Sequence, residues 1–97
     1  MSEEYFKDRV EKGWQVAERV FGERPAEGQK NGVLSDMVMA TAYADIWSRP
    51  GLGLRDRSVI TCIVLAVQEH ETELKVHLRG LVHQGVSRIE AEEMMMH

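Results

Sequence analysis

The sequence predicts an all-α subunit of about five helices that associates with further copies of itself. Three observations carry that expectation. Apolar residues recur at three- and four-residue steps, residues suited to capping helices stand at Ser35, Asp56 and Ser87, and the chain ends in three methionines that a thin core leaves in search of a partner. A chain of 97 residues buries only about two-thirds of the surface its unfolded form exposes, so residues 1–97 read as a single domain for which association helps. The composition, 43% hydrophobic and 29% charged with no low-complexity tract, is that of a folded domain.

The first helix starts at about Glu3. It sets Phe6, Val10, Trp14, Ala17 and Phe21 on one face, and Gly22 is its natural stop. Glu23 to Gly32, with Pro25, Gly28 and Asn31, reads as a loop. Ser35 or Asp36 caps the second helix, whose apolar face is Met37, Ala40, Tyr43, Ala44 and Trp47, and Arg49-Pro50-Gly51 ends it. Asp56 caps the third, in which Val59 to Val67 is apolar on every side and is expected to be buried on every side. Its β-branched residues make a central strand the local alternative. A lone strand between helical patterns has nothing to pair with, so helix is favoured. Thr72 starts the fourth helix, with Leu74, Leu78, Leu81 and Val82 as its core stripe and Gly85 just past its end. Ser87-Arg88-Ile89-Glu90 has capping-box spacing and opens a fifth helix only about 15 Å long before Met94-Met95-Met96-His97.

Several function classes are excluded at this point. A net charge of -4 without a basic cluster argues against nucleic acid. The longest apolar stretch falls far short of the roughly 20 residues a membrane helix needs, and the acidic Met1-Ser2-Glu3-Glu4 opening is no secretion signal. A lone cysteine, Cys62, makes neither an internal disulfide nor a Cys-rich zinc site and fits the cytoplasm.

His70, Glu73 and His77, at i, i+3 and i+7, project from nearly one face of the fourth helix, beside the leucine stripe. With a carboxylate one turn away, His77 can serve as a general acid or base near neutral pH. The plainer reading is a solvated polar face, and the spacing alone does not separate the two. The pattern matches neither the zincin motif nor the di-iron repeats, so no metal is expected. Arg49, Arg55, Arg57 and Arg79 cluster near helix ends and suit a small anionic substrate, or else pair with Asp45, Asp56, Glu71 or Glu73. His83 lies off the stripe, His97 is terminal, and Tyr43 and Trp47 read as core.

The blocks Ile46-Trp47-Ser48-Arg49-Pro50-Gly51-Leu52, Arg57-Ser58-Val59-Ile60-Thr61, Glu73-Leu74-Lys75-Val76-His77-Leu78-Arg79-Gly80, Gly85-Val86-Ser87 and Met95-Met96-His97 stand in an order and spacing that closely resemble the carboxymuconolactone decarboxylase family. The resemblance runs from about Ala44 to His97. It implies the AhpD-like helical bundle, with subunits assembled as a homotrimer or homohexamer. The thiol-dependent branch of that superfamily has a glutamate, then two cysteines, then a histidine. Anchored on His77, this sequence has Ser58, His70 and Glu73 in the first three places, so disulfide chemistry is not expected. Asp45 stands where the family usually has glutamate, His70 where it has arginine, and His83-Gln84 where it has two asparagines. Relatives also continue into a further C-terminal helix that residues 1–97 lack.

The implied reaction, decarboxylation of a γ-carboxymuconolactone-like acid in aromatic catabolism, requires no cofactor. Electrons left by the departing carbon dioxide spread to the lactone carbonyl, so the enzyme stabilises an oxyanion and protonates a ring carbon. The resemblance then assigns His77 as proton donor, Glu73 as its orienting partner and Asp45 as a second acid-base or positioning group, with Arg49, Arg57, Arg79 and His70 holding carboxylates. The competing expectations are a divergent member that binds another small organic acid and an oligomeric protein without catalysis.

Overall fold

The computed structural model describes residues 2–24 and 32–97. Pro25, Gly28 and Asn31, on which the expected loop rests, lie outside them. Among the described residues every regular element is helical: α1 (Glu3–Phe21), α2 (Gly32–Val38) running on into a π-helix (Met39–Trp47), α3 (Leu54–Val67), α4 (Glu71–His83) and α5 (Arg88–Met96). No helix of the described residues is long and apolar enough to cross a membrane.

The ends of α1 follow from its residues. The Ser2 hydroxyl accepts from the Tyr5 amide, Glu3 and Glu4 meet the positive end of the dipole, and left-handed Gly22 (φ 85°) donates its amide to the Glu18 carbonyl. Trp14, Val16, Ala17 and Val20 of α1 form one core with Met39 and Tyr43 of the π segment, flanked by Val10, Phe21, Trp47 and Leu54. Gly13 makes this pairing close. A Cβ there would stand 2.0 Å from the Met39 carbonyl oxygen. A second, smaller core joins Cys62 of α3 to Leu81 and Val86, with Val59, Leu74, Leu78, Ala91 and Met94 around it. The capping box is as the sequence predicts: Ser87 accepts from the Glu90 amide and Glu90 accepts from the Ser87 amide.

Four expectations are corrected. The second helix begins at Gly32, so Ser35 and Asp36 are helical residues rather than caps. Extended Gly53 is the N-cap of α3, and Asp56 lies within the first turn, where its carboxylate still meets the helix dipole. His70, not Thr72, precedes the first residue of α4. The third helix is not buried all round: Ser58 and Cys62 are its only buried residues, while Ile60, Val64 and Val67 remain 53%, 47% and 77% exposed. The physical reason is coverage. Its principal neighbour is α4, which leaves the opposite apolar face outside the core of the single subunit.

Both later helices close with the same carbonyl-satisfying turn. After α4 the amides of Gly85 and Val86 bond the carbonyls of Val82 and Leu81, with Gly85 left-handed at φ 84°. After α3 the amides of Glu69 and His70 bond Ala66 and Leu65, but the left-handed place (φ 59°) is held by a glutamate. An L side chain there costs about 1–2 kcal/mol, part of which glycine's looser unfolded chain gives back. Glu69→Gly is therefore expected to stabilise the fold by about 0.5–1 kcal/mol, read as a raised Tm by calorimetry; an unchanged or lowered Tm defeats this account of the turn.

Candidate active site

Four residues apart on the π segment, Tyr43 and Trp47 share a face, and their rings stack at 5.2 Å and 18°. Thr41 and Ser48 return their hydroxyls to the carbonyls of Met37 and Ala44, which spends them locally. From α4, the His77 imidazole lies parallel to Trp47, with ring centroids 6.2 Å apart and 23° between planes. Phe21, at the end of α1, meets His77 edge-on at 5.1 Å and Tyr43 at 6.1 Å. Phe21 and Trp47 thus flank the imidazole, and Tyr43 packs against both of those rings.

The electrostatics follow from that wall. Burial pushes the His77 pKa below its ordinary value, and the Glu73 carboxylate one turn away works in the opposite direction. Glu73 makes no hydrogen bond or ion pair to His77 among the described residues; it acts through its charge. Burial, with the same charge added, lifts the Tyr43 phenol to about 12, so it stays protonated across the physiological range. His77 Nδ1 and Ser58 Oγ are buried side-chain atoms without a hydrogen-bond partner among the described residues. A native fold rarely leaves such groups without a partner, and a catalytic role is one of the reasons it does.

The structure brings together His77 and Glu73 of the predicted site residues and separates most of the others. Asp45 stands on the exposed side of the π segment in an ion pair with Arg9. Arg57 is committed to the backbone: its Nε donates to the Leu52 carbonyl at 3.0 Å and its Nη2 to the Arg49 carbonyl at 3.2 Å, which fixes the turn after the π segment. Arg49 and Arg79 are exposed, and neither guanidinium has an ion pair among the described residues. Arg55 reaches Glu90 at 2.6 Å, tying α3 to α5, and this pair together with Ser87 holds the Glu90 carboxyl below its usual range. His70 is exposed at the start of α4, two turns from His77. No three His, Cys, Asp or Glu side chains among the described residues converge as metal ligands.

Gln84 donates its side-chain amide to the Arg19 and Val20 carbonyls and so closes the end of α1. Tyr43, Trp47 and Phe21, read from the sequence as core, are the walls of the site as well. The available signal was the pairing of Tyr43 with Trp47 four residues apart, next to a recognisable motif; helical periodicity could not say that an imidazole would complete the stack. Burial raises the Cys62 thiol to about 11, so it is an inert part of the second core.

Among the described residues, all of whose regular elements are helical, a half-buried histidine lies between two aromatic rings with a carboxylate one turn away, an arrangement suited to acid-base chemistry. The model of the carboxymuconolactone decarboxylase family matches residues 33–97, and the chain belongs to that family. It is 31% identical to a 4-carboxymuconolactone decarboxylase of Acinetobacter baylyi over 97 residues, covering 94% of this chain and 72% of that protein. It is 32% identical to a nitrosuccinic acid decarboxylase of Metarhizium robertsii over 62 residues, covering 64% of this chain and 43% of that protein. No solved structure matches significantly.

Proposed function

We propose that the protein is a cofactor-independent carboxy-lyase acting on a small carboxylated lactone of the γ-carboxymuconolactone type in aromatic catabolism. The observation that carries this reading is that the family match spans Tyr43, Trp47, Glu73 and His77, the residues that make the site. The substrates named for the two relatives share one chemistry. In each, loss of carbon dioxide leaves a carbanion next to an electron-withdrawing group, a lactone system in one and a nitro group in the other, so charge moves onto oxygen before carbon is protonated. Such a reaction asks for a proton donor and an oxyanion partner in a dry site rather than for a redox centre. His77 supplies the proton, Glu73 supports its charged form, and the exposed Arg49 and Arg79 draw in the carboxylates. Arg57 holds the Arg49 turn in place, and Asp45 shapes the outer wall through Arg9.

Assembly belongs to the same proposal. The outer face of α3 (Ile60, Val64, Val67) and the exposed Ile89, Met95 and Met96 of α5 form an apolar surface that further copies of the chain cover in a homotrimer or homohexamer. Beside it a groove of 890 Å³, bordered by Val59, Ile63, Ala66 and Met94, touches none of the proposed catalytic residues. A monomer by light scattering at micromolar concentration would refute the assembly. Loss of the lactone's ultraviolet absorbance on adding the purified protein tests the activity; no turnover at micromolar protein sinks the decarboxylase reading.

A further inference from the structure

We infer that Ser58 is a positioning residue for His77: one buried water joins the Ser58 hydroxyl to Nδ1 of the imidazole and leaves Nε2 as the nitrogen that hands its proton to carbon. This deepens the decarboxylase reading and rests on it.

The two ends of the link are the two orphaned atoms of the fold. Among the described residues Ser58 is the only buried polar one, with an exposure of 0%. Its Oγ and His77 Nδ1 are the buried side-chain atoms without a partner there, and Nε2 of the same ring is not one of them. Other helical hydroxyls of this chain do not behave so. Thr41, Ser48 and Thr61 each donate to the carbonyl four residues back, whereas Ser58 leaves that of Leu54 unused.

Packing sets the two atoms at one seam. Leu54, one turn before Ser58, packs against the first core, and Cys62, one turn after it, belongs to the second. On α4, His77 meets Phe21 and Trp47, which flank the first core, while Leu78 and Leu81 beside it belong to the second. The two helices pack directly on each other, so Ser58 and His77 approach the junction of the cores from facing elements.

A water suits both ends. It accepts from Nδ1–H and donates to Ser58 Oγ, and buried waters stand where such groups lack other partners. An imidazolium has two N–H groups to place; with one on the water, the other points to substrate. As the C–C bond to carbon dioxide breaks, its electron pair spreads into the lactone and returns to form a C–H bond with the Nε2 proton. The ring is left neutral with its proton on Nδ1, and Nε2 regains a proton from solvent. Holding one nitrogen fixes the ring's orientation and tautomer.

The tautomer gives a test that needs no turnover. In ¹⁵N-histidine-labelled protein, at a pH where His77 is neutral, its signal is the one of four that His77→Ala lacks. His77 is expected to carry its proton on Nδ1, the form less favoured in water, and to revert to Nε2–H in Ser58→Ala, which removes only the hydroxyl. The same variant should lower kcat for the lactone by about tenfold, with KM changed less than about threefold. An Nε2–H tautomer in the unmodified protein overturns the link, and this reading stands even where Ser58→Ala fails to fold. So does a Ser58→Ala protein with unchanged tautomer and kcat, all the more with a raised Tm, because the hydroxyl is then merely buried without a partner. An unmodified protein that shows Nδ1–H but no turnover overturns the decarboxylase reading and keeps the Ser58–His77 link.

Discussion

His77→Ala is expected to lower turnover of the lactone by about 100-fold to 10,000-fold, the range that follows loss of a positioned general acid. Folding should survive. The imidazole is only half-buried, and Leu74, Leu78 and Leu81, which carry the packing of α4, are untouched. The variant opens a gap between Phe21 and Trp47, so circular dichroism and thermal melting accompany the kinetics. A folded His77→Ala protein with near-normal turnover would move the proton-donor role to another residue.

The pH profile supplies a second signature of the same residue. The donor is the imidazolium, and burial makes that form harder to hold in the free protein than at the ordinary pKa of 6.5. As pH rises through the lowered pKa, kcat/KM falls. A bound dianionic substrate beside the ring favours the charged imidazole, so the falling limb of kcat lies at higher pH than that of kcat/KM. Glu73→Gln removes the charge that opposes the effect of burial. That variant should shift the kcat/KM limb to still lower pH and reduce turnover near pH 7 about tenfold, less than loss of the imidazole itself. Limbs that coincide, or that do not move in Glu73→Gln, would show that another group titrates.

Burial of His77 also writes a pH dependence into the fold. Its folded pKa lies below its unfolded one, so its contribution to stability is present above about pH 6.5 and is lost as pH falls toward the folded value. Melting curves of the unmodified protein should therefore slide downward on acidification more steeply than those of His77→Ala. Kinetics below that range need the correction.

Sequence periodicity and cap chemistry reached far into this fold and stopped at identifiable places. Local signals were enough where one residue type has one physical use: Gly22 and Gly85 in left-handed stops, and Ser87 with Glu90 in a capping box. They were not enough where the outcome depends on what lies opposite. Val59 to Val67 looks buried on every side by composition, but a single subunit supplies a neighbour for only part of α3. The site divides the same way. His77 and Glu73 were legible because a helix fixes which residues share a face. The use of Arg57 as a brace for the Arg49–Leu52 backbone was not legible, because it depends on a turn geometry no spacing encodes. Tyr43 and Trp47 were read for hydrophobicity alone, since helical spacing puts them on one face but does not say that the His77 ring of α4 lies against that face.

Gly13→Ala is expected to destabilise the protein by about 3 kcal/mol, lowering Tm by at least about 10 °C. The sign makes the test decisive. By helix propensity alone, alanine in the interior of α1 is better than glycine by about 1 kcal/mol, so without a tertiary obstacle this substitution stabilises. The obstacle is the backbone of Met39, whose oxygen, carbonyl carbon and Cα would stand 2.0, 2.5 and 2.8 Å from the new methyl group. A clash with a side chain can be relieved by a rotamer change. A clash with three backbone atoms is relieved only by moving α1 and the π segment apart, which loosens Trp14, Ala17 and Val20 from Met39 and Tyr43. Gly51→Ala is the control, because a Cβ there meets nothing within 4 Å and should leave Tm nearly unchanged. The loss in Gly13→Ala should extend to function, since the displaced segment carries Tyr43 and Trp47 and the imidazole loses its stack. A stabilised Gly13→Ala protein would mean that α1 and the π segment do not approach as closely as the structure has them, and the aromatic wall around His77 would have to be redrawn.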